Sequence, residues 1–287
     1  TCVPGPVVCL SRPSSDPTAR RWPQFSTSLG QHTEGGNSNF NSGEIELSQR
    51  FHNGLLFDVN YSYSRLLGYQ YQASNPIGNA LWSYDYGPIS AQPYNVFHFN
   101  HVYELPLGRG RRFGEHLSSW LNGIAGGWVL SGLGTWQSGA PLTVMAGVGT
   151  SPAGAAANRA NRISSGNLSH SGQSRGRAAG EWFDTTAYQL PPYIDPGVSN
   201  PAREFGTAGI GTVTGPSFFN YDANLQKQFP LRERATLSLR IDCFDPFNVP
   251  MLNNPDVTVS SATFGQIRSS NANYNPRTFQ FGMRVDF

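Results

Sequence analysis

The sequence predicts an all-β fold, specifically the antiparallel wall of a transmembrane β-barrel with about seven long strands and an incomplete, open outline. Three observations support this prediction. Apolar and polar residues alternate with period two in several segments of about ten residues. Short connections alternate with long ones along the chain. Charged residues make up only 13% of the chain and hydrophobic residues 38%, whereas globular domains usually have about 25% and about 45–50%.

The final segment, 276–287, has the clearest strand pattern. Its apolar face consists of Phe279, Phe281, Met283, Val285 and Phe287. These residues alternate with the polar residues Thr278, Gln280, Arg284 and Asp286. Such a strand, ending on an aromatic residue, resembles the closing strand of a bacterial outer-membrane barrel. It therefore predicts an outer-membrane location, with the apolar face towards lipid and the polar face towards a water-filled lumen.

The same alternation predicts the other strands at 42–51, 55–64, 94–105, 217–229 and 235–243. Each is close to the length of about ten residues that a tilted strand needs to cross a bilayer. The segment 127–138 is also strand-like. Its facing stays open because Gly132 and Gly134 provide no side chains to orient it.

The connections predict which end of each strand lies on which side of the membrane. Short turns are expected at Asn53-Gly54 and 230–233, and a basic segment at 107–126 contains a helical turn near 115–122. Long connections are expected at 66–93, 139–216 and 250–275. If the last strand ends in the periplasm, every short turn is periplasmic and every long loop is extracellular.

The strand count also predicts the domain organisation. Bacterial single-chain barrels have even numbers of strands, so seven strands imply the C-terminal part of a larger barrel. Residues 1–40 are then an extracellular loop segment, 41–287 form the barrel part, and 139–216 is a long extracellular loop.

Composition excludes several other classes. A net charge of +2 is too small to indicate a nucleic-acid partner. No run of about 18 apolar residues predicts a transmembrane helix, and no signal peptide opens the sequence. Three cysteines do not form a disulfide framework, although Cys2 and Cys9 are close enough in sequence to pair.

Several segments carry a family resemblance: RRWPQF (20–25), GNSNFNSGEIELSQRFHNGLLFDVNYSYSR (36–65), FNHVYELPLGRGRRFG (99–114), GGWVLSGLGTWQSGAPLTV (126–144), FGTAGIGTVTGPSFFNYDANLQKQFPLRER (205–234), FGQI (264–267) and PRTFQFGMRVDF (276–287). In these the chain resembles the C-terminal portion of TonB-dependent receptors of the Oar-like type, which carry a carboxypeptidase-regulatory-like domain and are common in Acidobacteria. One departure is Asp242 to Asn248, where the family usually has Glu-x-Phe-Asn-x-Phe-Asn.

The resemblance implies a function and a set of partners. It implies ligand uptake across the outer membrane, with an unknown ligand bound at extracellular loops and energy relayed by the TonB complex through a plug domain that has no counterpart in this sequence. It also implies that the terminal strand, Phe279 to Phe287, is recognised by the barrel-assembly machinery. Outer-membrane lipid is the remaining expected partner.

No catalytic, metal-binding or cofactor-binding residue is predicted, and the chain is not expected to be an enzyme. His98 and His101 should point to opposite faces of a strand and so cannot chelate one ion. The run from Gly108 to Arg112 lacks the spacing of a phosphate-binding loop. Asp222 and Asp242 are expected to form cross-strand ion pairs in the lumen, with partners Arg240 and Arg284.

Aromatic residues on the strands are expected to form girdles at the two membrane interfaces: Tyr61, Tyr63, Phe97, Trp128, Trp136, Phe229 and Phe287. Trp82, Tyr84 and Tyr86 lie in a predicted loop and are the candidate extracellular ligand contacts. The segment 146–180 is low in apolar residues and is expected to be a mobile extracellular loop.

Two alternatives stay open. One is an outer-membrane barrel that binds ligand or mediates adhesion without active transport. The other is a soluble all-β carbohydrate-binding or secreted enzyme domain, which would pack its apolar strand faces against each other.

Overall fold

A computed structural model describes residues 37–69, 85–89, 92–147, 158–165, 180–193, 196–197, 203–232, 235–271 and 276–287. The long strands are β1 (Ser38–His52), β2 (Leu55–Tyr69), β4 (Asn95–Glu104), β5 (Trp128–Gln137), β10 (Phe218–Arg232), β11 (Ala235–Phe244) and β12 (Thr278–Asp286). The short strands are β3 (Tyr86–Pro88), β6 (Pro141–Leu142), β7 (Asn161–Arg162), β8 (Tyr188–Gln189) and β9 (Val213–Thr214). Helix α1 spans Ser119–Ala125, and a 3₁₀ turn spans Thr185–Ala187.

The seven long strands form one antiparallel sheet in the order β1-β2-β4-β5-β10-β11-β12, and β3 adds to β2. Sequential long strands are therefore spatial neighbours, as in an up-and-down barrel wall. Within the described residues β1 and β12 are not paired with each other, so the sheet is open. The predicted number, direction and open arrangement of the long strands are confirmed.

The register aligns the apolar residues of neighbouring strands on one face of the sheet. Leu47 pairs with Val59, Val59 pairs with Phe99, and Leu225 pairs with Ile241. The register also settles the facing of β5, because Leu130 pairs with both Tyr103 and Leu225. Its even-numbered residues, including both glycines, therefore lie on the apolar face.

The two ends of the sheet differ in their connections. At the end that we call the turn end, Asn53 and Gly54 close the β1–β2 hairpin with φ angles of 51° and 82°, the left-handed pair that a tight Asn-Gly hairpin requires. The β4–β5 and β10–β11 connections and the C-terminal end of β12 lie at this same end. The opposite end, which we call the loop end, carries the three long connections.

A second compact region lies at the loop end. It combines parts of the β5–β10 connection with parts of the β11–β12 connection, residues 139–147, 158–165, 180–193, 203–217 and 250–271, and we call it the loop domain. The buried hydrophobic cluster of the described residues lies entirely within it: Val144, Ala160, Trp182, Phe183, Ala187, Tyr188, Ala208, Val213 and Ile267. The wall therefore supplies none of this cluster.

Part of the loop prediction is wrong. Ala146, Asn158, Arg159 and Ala160 are buried, although the composition of 146–180 predicts a mobile loop. Their backbones form a small hydrogen-bonded ladder, in which the Ala160 amide donates to the Val144 carbonyl at 3.1 Å. Residues 148–157 and 166–179 lie outside the described residues, as do Cys2 and Cys9 and the predicted loop segment up to residue 36.

Helix α1 begins four residues later than the predicted helical turn and ends three residues later. Ser118 precedes it with an extended backbone, and the Gly126 amide donates to the Asn122 carbonyl at its end. Across the part of the chain that the structure describes, no helix has the length and apolarity to span a membrane.

Candidate functional site

The apolar face of the wall is exposed on the two edge strands, β1 and β12, and partly exposed on the strands between them. Phe281 and Met283 on β12 are each 75% exposed, and Ile45 on β1 is 68% exposed. A water-soluble sheet would cover such side chains with a second layer. The described residues place their core in the loop domain instead. This arrangement suits a surface whose solvent is hydrocarbon.

Aromatic residues form a row across four strands near the loop end. Trp136 on β5 pairs with Phe97 on β4 and with Phe219 on β10. Phe97 pairs in turn with Tyr61 on β2, whose hydroxyl donates to the Asn95 side chain at 2.7 Å. Aromatic residues whose rings lie on an apolar surface while their polar atoms are hydrogen-bonded are typical of a membrane-interface girdle.

A second group of aromatic residues lies near the turn end, where Trp128, Phe229 and Phe287 are located. Trp128 and Trp136 are eight residues apart on β5, which is about 26 Å of strand at about 3.3 Å per residue. A strand tilt of about 40° reduces this to about 20 Å across the membrane, close to the apolar band of about 25 Å in outer-membrane barrels.

The two glycines of β5 accommodate aromatic rings from both neighbouring strands. A Cβ on Gly134 would lie 2.1 Å from the Phe99 ring, and one on Gly132 would lie 2.3 Å from the Tyr221 hydroxyl. Phe99 and Tyr221 stack with centroids 5.6 Å apart and an interplanar angle of 13°. The glycines therefore form a shallow groove in the apolar face, which aromatic side chains fill.

The two histidines of β4 point to opposite faces, as predicted. His98 lies on the polar face, where its Nδ1 is 3.0 Å from the Thr135 hydroxyl. His101 lies on the apolar face, where its Nε2 is 2.8 Å from the Tyr221 hydroxyl. The second contact satisfies two polar groups on a surface that offers no water.

The polar face carries its ion pairs along single strands. Arg240 pairs with Asp242 at 2.8 Å and Arg284 pairs with Asp286 at 2.7 Å, each partner being two residues away on the same face. The prediction of cross-strand pairs is therefore wrong for these two arginines. Side chains two apart on a strand share a face at about 7 Å, which long arginine side chains span easily.

Asp222 does not form the expected ion pair with an arginine among the described residues. Its carboxylate accepts from the Asn220 side chain at 3.2 Å and from the Asp245 amide at 3.1 Å. It therefore fixes the start of the turn that follows β11. Asp242 additionally accepts from the Asn224 side chain at 2.8 Å, a cross-strand hydrogen bond.

Of the three candidate ligand contacts, Trp82 and Tyr84 lie outside the described residues. Tyr86 is half-buried in β3, where its ring packs edge-on against Tyr69 at 5.2 Å. This contact extends the sheet at the loop end. The structure gives Tyr86 a packing role.

A buried charge pair joins β3 to the loop domain. The Arg159 guanidinium lies 3.8 Å from the Asp85 carboxylate, and both side chains are almost fully buried. Burial raises the pKa of Asp85 above its usual range, and the positive charge of Arg159 only partly opposes this. Neither Asp85 oxygen has a hydrogen-bond partner in the described part of the chain, so the pair is costly to bury.

A cavity of about 350 Å³ lies where β11 and β12 leave the wall at the loop end. It is lined by Asp245, Asn248, Met251, Ser270, Asn271 and Pro276. Asp245 is only 3% exposed, and among the described residues neither of its carboxylate oxygens has a hydrogen-bond partner. The backbone is left-handed at Asp245 and Asn248, with φ angles of 45° and 52°. A buried, unpaired acceptor in a cavity suits a ligand that donates hydrogen bonds or carries positive charge.

The comparison with family models decides the family. A model described as "Outer membrane beta barrel domain" matches residues 3–280. The chain belongs to this family. Its location is accordingly the bacterial outer membrane, and the exposed apolar face of the barrel wall is the lipid-facing surface. A comparison with curated proteins found no match.

Because the chain belongs to the barrel family, the cavity and the Asp85–Arg159 pair can be placed relative to the membrane-spanning wall. Both lie at the loop end, outside the girdle row formed by Tyr61, Phe97, Trp136 and Phe219. Sequence reasoning missed both. The only signal for the cavity was the run Asp245-Pro246-Phe247-Asn248, whose Asp and Asn residues tolerate left-handed backbone. Nothing in the sequence links Asp85 to Arg159, 74 positions apart.

Proposed function

We propose that this barrel wall belongs to a TonB-dependent receptor of the Oar-like type, which binds a ligand at its loop end and imports it. The observation that carries the proposal is the loop domain. Two long connections, from the β5–β10 and β11–β12 hairpins, meet in one packed core. Such a body holds surface groups in fixed positions, as a binding site requires.

The orientation supports import from outside. Outer-membrane barrels have short periplasmic turns and longer extracellular loops. The turn end, with the Asn53-Gly54 hairpin, then faces the periplasm, and the loop domain with its cavity faces the exterior. A solute that leaves the cavity would meet the polar face of the wall, where Asn224, Gln226 and Arg240 lie.

The two sheet edges support a larger barrel. Among the described residues β1 and β12 each pair with one neighbour. An unpaired backbone amide or carbonyl at a sheet edge in hydrocarbon costs on the order of several kcal/mol. We infer that further strands complete the wall. A plug domain inside the completed barrel would be the part that contacts the TonB complex.

The terminal strand also fits a role in assembly. Phe279, Phe281, Met283, Val285 and Phe287 lie along the β12 edge and are exposed. We infer that the barrel-assembly machinery recognises this strand. Phe287→Ala should lower the amount of heat-modifiable protein in the outer membrane, whereas Thr278→Ala on the polar face should not. Equal amounts from both variants would contradict this role.

Transport is tested without knowing the ligand. The parent strain, a strain lacking this gene and a strain lacking TonB are grown in the same complex medium, and the spent media are compared by mass spectrometry. We expect at least one solute that the parent depletes and neither mutant depletes. A barrel that binds without transport predicts no such solute. A solute whose uptake needs this gene and does not need TonB would contradict the TonB-dependent mechanism.

A further inference from the structure

Helix α1 contacts the lipid-facing side of the wall at the turn end. Lys227 on β10 occupies a position on the apolar face, between Leu225 and Phe229. Its ammonium donates to the carbonyls of Gly123 and Ile124, at 2.5 and 2.9 Å, near the end of α1. The C-terminal end of the helix therefore contacts the outside of the wall.

One further contact holds α1 in this position. The Trp128 indole N–H donates to the Ile124 carbonyl at 2.9 Å, and Trp128 shares the apolar face because it pairs with Lys227. The Lys227 ammonium also lies 4.7 Å from the centroid of the Phe229 ring. A helix C-terminus carries partial negative charge, so a lysine is a favourable partner for its free carbonyls.

The position of Lys227 needs this partner. A lysine on the lipid face of an outer-membrane barrel costs about 2–4 kcal/mol at the midplane and about 0–1 kcal/mol near the interface. Lys227 is 4% exposed because α1 and two aromatic rings surround it. The lysine is thus tolerated because it is near the turn end and because its charge is satisfied by α1.

The outer surface of α1 is apolar and has no protein partner among the described residues. Trp120 is 68% exposed and Ile124 is 60% exposed, and Leu121 is also exposed, as is Phe113 in the segment before the helix. The backbone carbonyl of Ile124 contacts the turn-end girdle residue Trp128. The surface therefore continues the lipid-facing surface of the wall.

A basic segment lies against α1. The Arg109 amide donates to the Asn122 side chain at 2.6 Å, which fixes the start of the basic run to the helix. Arg111 pairs with Glu104. The Arg112 guanidinium lies 5.6 Å from the centroid of the exposed Phe113 ring. Cationic groups next to exposed aromatic and aliphatic side chains are typical of segments that lie in a membrane interface.

The geometry points to α1 as an interfacial anchor. We infer that Trp120, Leu121 and Ile124 insert into the periplasmic leaflet of the outer membrane, and that Arg112 contacts the phosphates of anionic phospholipid headgroups. The segment 107–126 would then fix the depth of the barrel in the membrane from outside the wall. This inference uses the barrel family and does not depend on transport or on TonB.

The test measures the depth of α1 in reconstituted membranes. Cys2, Cys9 and Cys243 are replaced by Ala in the intact protein, and Trp120→Cys is labelled with an environment-sensitive fluorophore. The matched control is Gln228→Cys, which lies beside Lys227 on the polar face of β10. In liposomes of phosphatidylcholine and phosphatidylglycerol with doxyl-labelled lipids, we expect blue-shifted emission and strong quenching at position 120, and water-like emission with weak quenching at position 228.

Two further arms keep the inference testable if one variant folds poorly. A label on Ile124→Cys should give the same result as the label at position 120. Removing phosphatidylglycerol should reduce the blue shift at position 120, and Arg112→Ala should abolish that dependence on anionic lipid. Water-like emission at both helix positions would overturn the anchor. Equal emission with and without anionic lipid would overturn the headgroup contact.

Discussion

Two phenylalanine residues illustrate how the wall and the loop domain differ. Phe281 on β12 is 75% exposed, whereas Phe183 in the loop domain is fully buried against Tyr188 and Phe264. The loop domain excludes water from its own apolar side chains, as a soluble protein does. The wall leaves its apolar side chains to the membrane. One chain therefore folds in contact with two solvents, water and lipid. Apolar side chains are buried where the solvent is water and exposed where the solvent is lipid.

We expect the largest effects when one aromatic ring is removed from each region. Phe183→Ala removes a core side chain and leaves a cavity, so we expect the loop domain to lose about 3–5 kcal/mol. Phe281→Ala leaves space that lipid can fill, so only the transfer contribution of about 1.5–3 kcal/mol should be lost, and from the wall.

Limited proteolysis in liposomes distinguishes the two outcomes. Phe183→Ala should expose cleavage sites within 139–216 while the strands stay protected, and Phe281→Ala should leave the loop domain resistant. New cleavage within β11 or β12 of Phe183→Ala would mean that the two regions are not independent.

Adding a charge to the two faces of one strand is the next largest test. Leu239→Arg places a guanidinium on the lipid face near the middle of β11, where we expect a loss of about 2–4 kcal/mol. Ser238→Arg places the same group on the polar face and should change stability by no more than about 0.5 kcal/mol. Urea unfolding in liposomes measures both, and equal losses would contradict the assignment of the faces.

The glycine groove of β5 predicts a smaller effect. Gly134→Ala forces a methyl group against the Phe99 ring, 2.1 Å away, and should cost about 1–3 kcal/mol through overpacking. Gly43→Ala is the matched control on β1, because a Cβ there meets nothing within 4 Å. A thermal or urea midpoint that shifts equally in both variants would exclude the groove as the cause.

The contributions of two aspartates of the loop end to stability should change with pH in opposite directions. These are the smallest expected effects. Burial raises the pKa of Asp85, so its contribution to stability is fully present below pH 3.8 and is lost as the pH rises through its folded-state pKa. Burial also acts on Asp256, but hydrogen bonds from Ser261, Thr263 and Thr258 lower its pKa overall. Its contribution is present above pH 3.8 and is lost as the pH falls through its folded-state pKa.

Matched variants isolate these two contributions. The unfolding midpoint of the loop domain, followed by Trp182 fluorescence, is compared with those of Asp85→Asn and Asp256→Asn across pH 3 to 7. The natural chain should gain stability relative to Asp85→Asn as the pH falls and lose stability relative to Asp256→Asn. Changes of the same sign for both variants would refute the opposite environments.

Most of the wall could be predicted from the sequence because the alternation within each strand indicates which of its side chains lie on the apolar face. Leu237, Leu239 and Ile241 alternate with Ser238 and Arg240 within β11 alone, and a period of two needs no knowledge of distant contacts. The facing of β5 could not be predicted in this way. Gly132 and Gly134 have no side chains, and their role depends on rings from two other strands.

The loop domain could not be predicted because its core is assembled from distant segments. Val144 and Ile267 share one cluster although 123 positions separate them, and the composition of 146–180 indicates a mobile loop. The ion pairs of the polar face show a smaller limit of the same kind. The residue types predicted the pairs, but side-chain reach decided that Arg240 binds Asp242 on its own strand.

The most direct test of the two-solvent account is spin-label accessibility along β11 in the intact protein in liposomes. Labels are placed one at a time on Leu237→Cys, Ser238→Cys, Leu239→Cys and Arg240→Cys after Cys2, Cys9 and Cys243 are replaced by Ala. The account predicts that positions 237 and 239 collide with oxygen dissolved in the membrane and that positions 238 and 240 collide with a water-soluble nickel chelate. Shielding of positions 237 and 239 from both reagents would place them under a protein layer and contradict the account.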